Sequence, residues 1–149
     1  MKKIIIFIFA LFLVGCGNNK YITCNVEVNN KIENYNMEGI YKIYYKNNFV
    51  TKIEKEEVYI SPSEDIIGYF NESKGLEYYN LNDKYNGFLY KINKEENKIN
   101  LNVSIDLNLV NIKQMVKDKK LNKDYVMSNR LTTSGIVDLY ESKGAVCDI

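Results

Sequence analysis

The sequence predicts an α+β fold, a mostly antiparallel sheet of about five strands with two or three helices packed on one face. Three observations carry this. Several segments alternate apolar with polar residues and are joined by Asn-rich turns. Helix-start and helix-stop signals separate or follow them. From Ile99 to Leu107 the alternation is unbroken, with Ile99, Leu101, Val103, Ile105 and Leu107 set against Lys98, Asn100, Asn102, Ser104 and Asp106. That pattern describes a strand with one face buried and one wet, as in an antiparallel sheet.

Ile22–Val28 alternates and reads as the first strand, closed by Asn29-Asn30. The second strand runs from Tyr35 to Tyr45. Asn47-Asn48 offers the left-handed backbone that a hairpin needs. A three-residue loop, 46–48, pairs Tyr45 with Phe49, Ile43 with Thr51 and Tyr41 with Ile53. This register gathers Tyr41, Ile43, Tyr45, Phe49 and Ile53 on one face and Lys42, Lys52 and Glu54 on the other. The third strand continues through Val58-Tyr59-Ile60. In Ser61-Pro62-Ser63-Glu64, Ser61 serves as cap, Pro62 as first helical residue and Glu64 as the return partner of a capping box. Ile66, Ile67 and Phe70 form the stripe of a helix reaching at least Lys74, or Tyr79 if Gly75 is tolerated. Phe88, Tyr90 and Ile92 open a second hairpin that turns at 94–97. A short helix covers about 111–119. The last helix starts near Thr132 or Thr133 and stops at Gly144. One domain is expected, without repeats or internal linker.

Composition excludes several function classes. The 149 residues include no His, no Trp, one Pro and one Arg. Without His there is no Ser-His-Asp or Cys-His machinery and no usual zinc ligand. No P-loop, GxGxxG, GxSxG, HExxH, CxxC or EF-hand pattern occurs. No cofactor, metal or catalytic residue is assigned, and no enzyme activity is expected. The 19 Lys, 21 Asn, 18 Ile and 13 Tyr against two Ala share A/T-rich codons, so coding bias accounts for much of the tyrosine content.

The N-terminus carries the sharpest signal. Met1-Lys2-Lys3 is a positive head, and Ile4 to Leu13 is an apolar run about half the length of a membrane span. Leu13-Val14-Gly15-Cys16 resembles the lipobox of bacterial lipoproteins. The resemblance implies cleavage before Cys16, a diacylglyceryl group on its sulfur and a freed amine open to acylation; stable anchoring takes two chains or more. Residues 1–15 are then the signal peptide, 16–20 a flexible tether and 21–149 the domain. The expected location is the extracytoplasmic face of the cell membrane. Losing Lys2 and Lys3 leaves 18 basic against 19 acidic side chains. That balance gives no footprint for nucleic acid.

With Cys16 lipidated, Cys24 and Cys147 remain as a pair at opposite ends of the domain. A disulfide is the expectation in an oxidising compartment, and two free thiols the alternative.

The lipobox, the hairpin YKIYYKNNFVTKIE, the segment VSIDLNLVNIKQM and the C-terminal LYESKGAVC together resemble the YehR-like lipoproteins, small bacterial proteins with a domain of unknown function. The resemblance spans the chain. It implies an α+β domain with a mostly antiparallel sheet and helices on one face, and no activity.

Candidate chemistry is sparse. Glu64 and Asp65 suit capping and the helix dipole. Asp83 and Asp106 suit a loop and a strand end, though paired carboxylates also do acid/base work. Lys117, Lys119, Lys120 and Lys123 form a basic run, read as a solvated helix end or as a contact for anionic head groups or wall polymers. Arg130 suits a salt bridge or a bidentate anion contact. Tyr44, Tyr78 and Tyr79 are read as strand and core packing or as an aromatic binding face. The functional expectation is a non-enzymatic binding or accessory module held at the membrane, with an envelope protein or polymer as partner. The alternative is a small-ligand binder or carboxylate-dependent hydrolase with a cleft between sheet and helices.

Overall fold

The computed structural model describes residues 20–149, and the proposed signal peptide, Cys16 and most of the tether lie outside the described residues. The strands are β1 (Lys20–Asn30), β2 (Tyr35–Lys46), β3 (Phe49–Ile60), β4 (Phe88–Lys94), β5 (Lys98–Asp106), β6 (Val126–Met127), β7 (Arg130–Leu131) and β8 (Val146–Asp148). The helices are α1 (Glu64–Tyr85), α2 (Ile112–Lys117) and α3 (Thr133–Glu141). One sheet has the order β4-β5-β3-β2-β1-β8, every pair antiparallel, and β6-β7 is a small separate hairpin. The α+β class and the helix-covered face are as the alternation predicts. The sheet gains a sixth strand, β8, and β1 begins at Lys20, one residue inside the expected tether.

The covered face carries Ile22, Cys24 and Val26 from β1, Tyr41 and Ile43 from β2, Ile53 and Tyr59 from β3, and Ile99, Leu101, Val103 and Ile105 from β5, all buried. From α1, Ile67, Tyr78 and Tyr85 pack down onto this face, and from α3, Ile136, Val137 and Tyr140 do so. Burying these side chains is the main driving term for folding.

Three local expectations are corrected. The β2–β3 connection is a two-residue turn, Asn47-Asn48, both with positive φ (51° and 63°), which matches strand twist better than a longer loop. A bulge follows at Tyr44/Tyr45, so Ile43 pairs with Ile53 and Tyr41 with Lys55. The register is displaced by two residues at those positions, and an even shift preserves the faces. Phe49 is the exception, because Val50 takes the core position and Phe49 lies half-buried outside it. The cap of α1 is Ser63, whose side chain accepts from the Ile66 amide, and Ser61 is instead buried, its hydroxyl donating to the Asn34 carbonyl at 2.8 Å. The helix also runs on past Lys74, through Gly75, to Tyr85.

The sheet has two distinct ends. Lys20 and Tyr45 form the first pair of β1 with β2, and Asn30 and Tyr35 the last. Ten residue steps separate these rows, roughly 30 Å along the strands.

Candidate functional site

The strand β3 places two charges on the covered face. Ile53 and Tyr59 both face the core, so Lys55 and Glu57 between them must share that face. Glu57 is only 4% exposed. Its Oε1 accepts from Tyr41 Oη at 2.8 Å and pairs with Lys55 Nζ at 3.1 Å, and its Oε2 accepts from Tyr59 Oη at 2.7 Å. Lys55 Nζ also donates to Tyr78 Oη at 3.2 Å and lies 4.6 Å from the Tyr41 ring centroid. Gly39, opposite Glu57 on β2, makes the room: a Cβ there would come within 2.7 Å of Val26 Cγ1.

Burial opposes ionisation of Glu57, but Lys55 and the two tyrosine hydroxyls overcome it and hold the carboxyl below its ordinary value. Burial and the Glu57 charge push Tyr41 and Tyr59 up, and burial pushes Tyr140 up to about 12. The carboxylate is therefore ionised, saturated with donors and sealed under the helices. That suits a polar pin in the core rather than proton transfer. Sequence reasoning missed this cluster, although the even spacing of Ile53, Lys55, Glu57 and Tyr59 was its signal.

A second arrangement lies at the far end of the sheet from Lys20. Asn30 Oδ1 accepts from the Ile32 and Glu33 amides at 3.1 and 3.0 Å, and Asn34 has φ 56°. This Asx turn holds Ile32 outward, 96% exposed. Beside it, Phe70 is stacked edge-on against Tyr35 at 4.8 Å and close to Tyr69 at 5.6 Å. Ile32, Tyr35, Ile66, Tyr69 and Phe70 wall a groove of about 670 Å³, with Glu33 and Asp65 at its rim. Nothing in the periodicity of the chain brings Ile32 to Tyr69; only the docking of α1 on the sheet does.

The sequence-predicted residues are distributed as follows. Cys24 and Cys147 are direct partners across β1 and β8 and form a disulfide with Cα atoms 4.0 Å apart. The bridge pins the three-residue edge strand over β1. Glu64 and Asp65 occupy the first turn of α1, as helix-dipole partners. Asp106 Oδ1 accepts from Asn108, closing the end of β5, and Asp83 is exposed near the end of α1. Arg130 makes no ion pair among the described residues; its guanidinium lies 4.1 Å from the Phe49 ring centroid. Tyr44, Tyr78 and Tyr79 are not brought together. Tyr44 is on the uncovered face, donating to Glu54 Oε2 at 2.8 Å, Tyr78 is in the core, and Tyr79 is exposed. Hydrogen bonds from Lys52 and then Tyr44 hold Glu54 below its ordinary value, so it too is a standing anion.

No family model and no curated protein matches the sequence. Two solved structures share its architecture. The NMR structure of the Escherichia coli YehR protein superposes with TM-score 0.55 over 87% of this chain and 92% of that one, at 18% identity. The fold is YehR-like. The NMR structure of a protein from Streptococcus pneumoniae TIGR4 superposes with TM-score 0.52 over 88% of this chain and 87% of that one, at 13% identity. At such identities, the likeness to YehR and to the pneumococcal protein is one of fold.

Proposed function

We propose that this protein is a lipid-anchored, extracytoplasmic envelope protein, and that it acts as a non-enzymatic binding module. The partner meets the groove at the end of the domain remote from the membrane. The observation that carries this reading is the opposition of the two ends. Lys20, four residues after the lipobox cysteine, begins β1, while the turn that presents Ile32 follows its last residue. Four extended residues reach at most about 14 Å, so an anchored chain keeps the Lys20 end low and lifts the groove away. Tethering also raises the local concentration of partners on the same surface, so weak contacts suffice.

The chemistry of the groove favours a cationic segment of an envelope protein bearing apolar side chains. Aromatic walls take the apolar groups, and Glu33 and Asp65, with Glu64 and Glu72 nearby on α1, take the positive charge. No catalysis is proposed: Glu54, Glu57 and Asp118 are each held as anions by the cations and hydroxyls that surround them.

Two experiments test this. A fatty-acid probe fed to cells should label the wild type and leave Cys16→Ala unlabelled; label on the variant overturns the anchor. NMR titration with a short peptide alternating Lys with Phe or Leu should shift Ile32, Tyr69 and Phe70 and be abolished in Tyr69→Ala. An equal response to the Glu counterpart, or shifts elsewhere, overturns the groove. A small aromatic ligand is the second reading, favoured by a volume within the range of about 300–1,000 Å³ that such ligands occupy. Shifts at the same residues with small aromatic acids or amines, and none with the peptide, would select it.

A further inference from the structure

Between β5 and α3 the chain makes an excursion, residues 107–132, that contains α2 and the β6–β7 hairpin. Both ends of the excursion are fixed to the Lys20 end of the sheet. The Leu107 amide donates to the Thr51 carbonyl at 3.0 Å, and the Thr133 amide donates to the Asn48 carbonyl of the β2–β3 turn at 2.9 Å. Its middle is fixed there too, since the Asn111 amide donates to the Tyr85 carbonyl at the end of α1. Buried Val110, Ile112, Leu121 and Leu131 seat it against the core.

Its charge is one-sided. It carries Lys113, Lys117, Lys119, Lys120, Lys123 and Arg130 against Asp118 and Asp124, and all six cations are exposed. None of the six makes an ion pair with a described carboxylate, and Asp118 is already held by Lys84 at 2.7 Å and Tyr85 at 2.8 Å. The rest of the described chain carries 12 basic and 17 acidic side chains. A nearly neutral protein is thus strongly polarised. Lys113 and Lys123 flank a depression of about 310 Å³ rimmed by Ser128 and Asn129. Two apolar side chains, Leu109 and Met127, stand exposed on the same excursion.

We propose that this excursion is a membrane-docking face that holds the domain down on anionic phospholipid head groups, at the same end as its own tether. The inference rests on the anchored reading above and deepens it. The lipid fixes distance and leaves orientation free. The lysines fix orientation, because unpaired cations within a Debye length of an anionic surface are attracted to it and those at the opposite end are not. The exposed Leu109 and Met127 add apolar contact at the interface. Docking in this way also keeps the acidic-rimmed groove pointing outward.

The test uses the protein purified from membranes and reconstituted into vesicles of phosphatidylcholine alone or with added phosphatidylglycerol. An amine-reactive reagent is applied, and modification of each lysine is read by peptide mass spectrometry. On anionic vesicles, labelling of Lys113, Lys117, Lys120 and Lys123 should fall at least about fivefold relative to neutral vesicles, the factor expected of each basic residue at such a surface. Lys31 and Lys94, at the remote end, serve as internal references and should not change. High salt, or the variant K113E/K117E/K120E, should restore labelling at Lys123. Flotation with the vesicles but uniform labelling on both lipids overturns the docking and leaves the anchor standing. Failure to float with either lipid overturns the anchor and the docking together. Protection by soluble polyphosphate without protection by anionic vesicles overturns the membrane as the partner and assigns the face to an anionic polymer.

Discussion

Replacing Glu57 with Gln tests whether the core is pinned by charge. The substitution keeps shape and one acceptor oxygen. It leaves the Lys55 ammonium, sealed beneath α1, without its counter-charge, and sets an amide N–H₂ against one of the two tyrosine hydroxyls now donating to Glu57. Removing one partner of a buried ion pair costs about 3–5 kcal/mol, and the retained acceptor puts this case near about 3 kcal/mol. A domain of this kind has about 5–15 kcal/mol in all. With a urea slope of about 2 kcal/mol/M, the midpoint falls by about 1.5 M. The double variant K55M/E57Q removes the orphaned charge and should recover part of that loss, giving a coupling of about 1–2 kcal/mol. The pH dependence supplies an independent check. Glu57 is depressed in the folded state, so its stabilisation is present above the unfolded value near 4.5 and is lost as pH falls through the folded one. Urea midpoints across that acid range should slope in the wild type and lie flatter in Glu57→Gln. A loss below about 1 kcal/mol, the worth of an exposed ion pair, or an unchanged acid slope would refute the pinning.

Three further outcomes are expected. Tyrosine absorbance titrated with base should show a set of phenols, including Tyr41, Tyr59 and Tyr140, that ionise only above the ordinary phenol value or on unfolding. Their raised folded values contribute stability that is complete below pH 10 and lost above it, so circular dichroism should report alkaline unfolding. Cys147→Ser should lower stability by up to about 4–5 kcal/mol, because the bridge closes a sequence separation of 123; an unchanged melting temperature with and without reductant would contradict this. Gly135→Ala should destabilise by about 1–3 kcal/mol, since a Cβ there would lie 2.6 Å from the Tyr125 backbone, and differential scanning calorimetry would measure it.

The elements of the fold were largely legible because burial on one side writes a period of two into strands. Ile99–Ile105 shows this most clearly. Register was less legible, because it depends on turn geometry that alternation does not encode. The Asn47-Asn48 turn and the bulge at Tyr44/Tyr45 displaced the pairing by two residues, kept the faces, and exchanged Phe49 for Val50 in the core. The short β6 and β7 went unread because two residues cannot establish a period.

By itself the sequence determined the alternation that buries one face of a sheet and the composition that removes histidine chemistry. Each is a local or counting property, so the chain states it directly. Tertiary structure alone decided that Glu57 meets Tyr41, that Ile32 meets Tyr69 and Phe70, and that a run of lysines shares an end of the sheet with Lys20. Those are meetings between distant segments. Packing of helices on a twisted sheet fixes them, and no spacing along the chain records which distant side chains it will bring together.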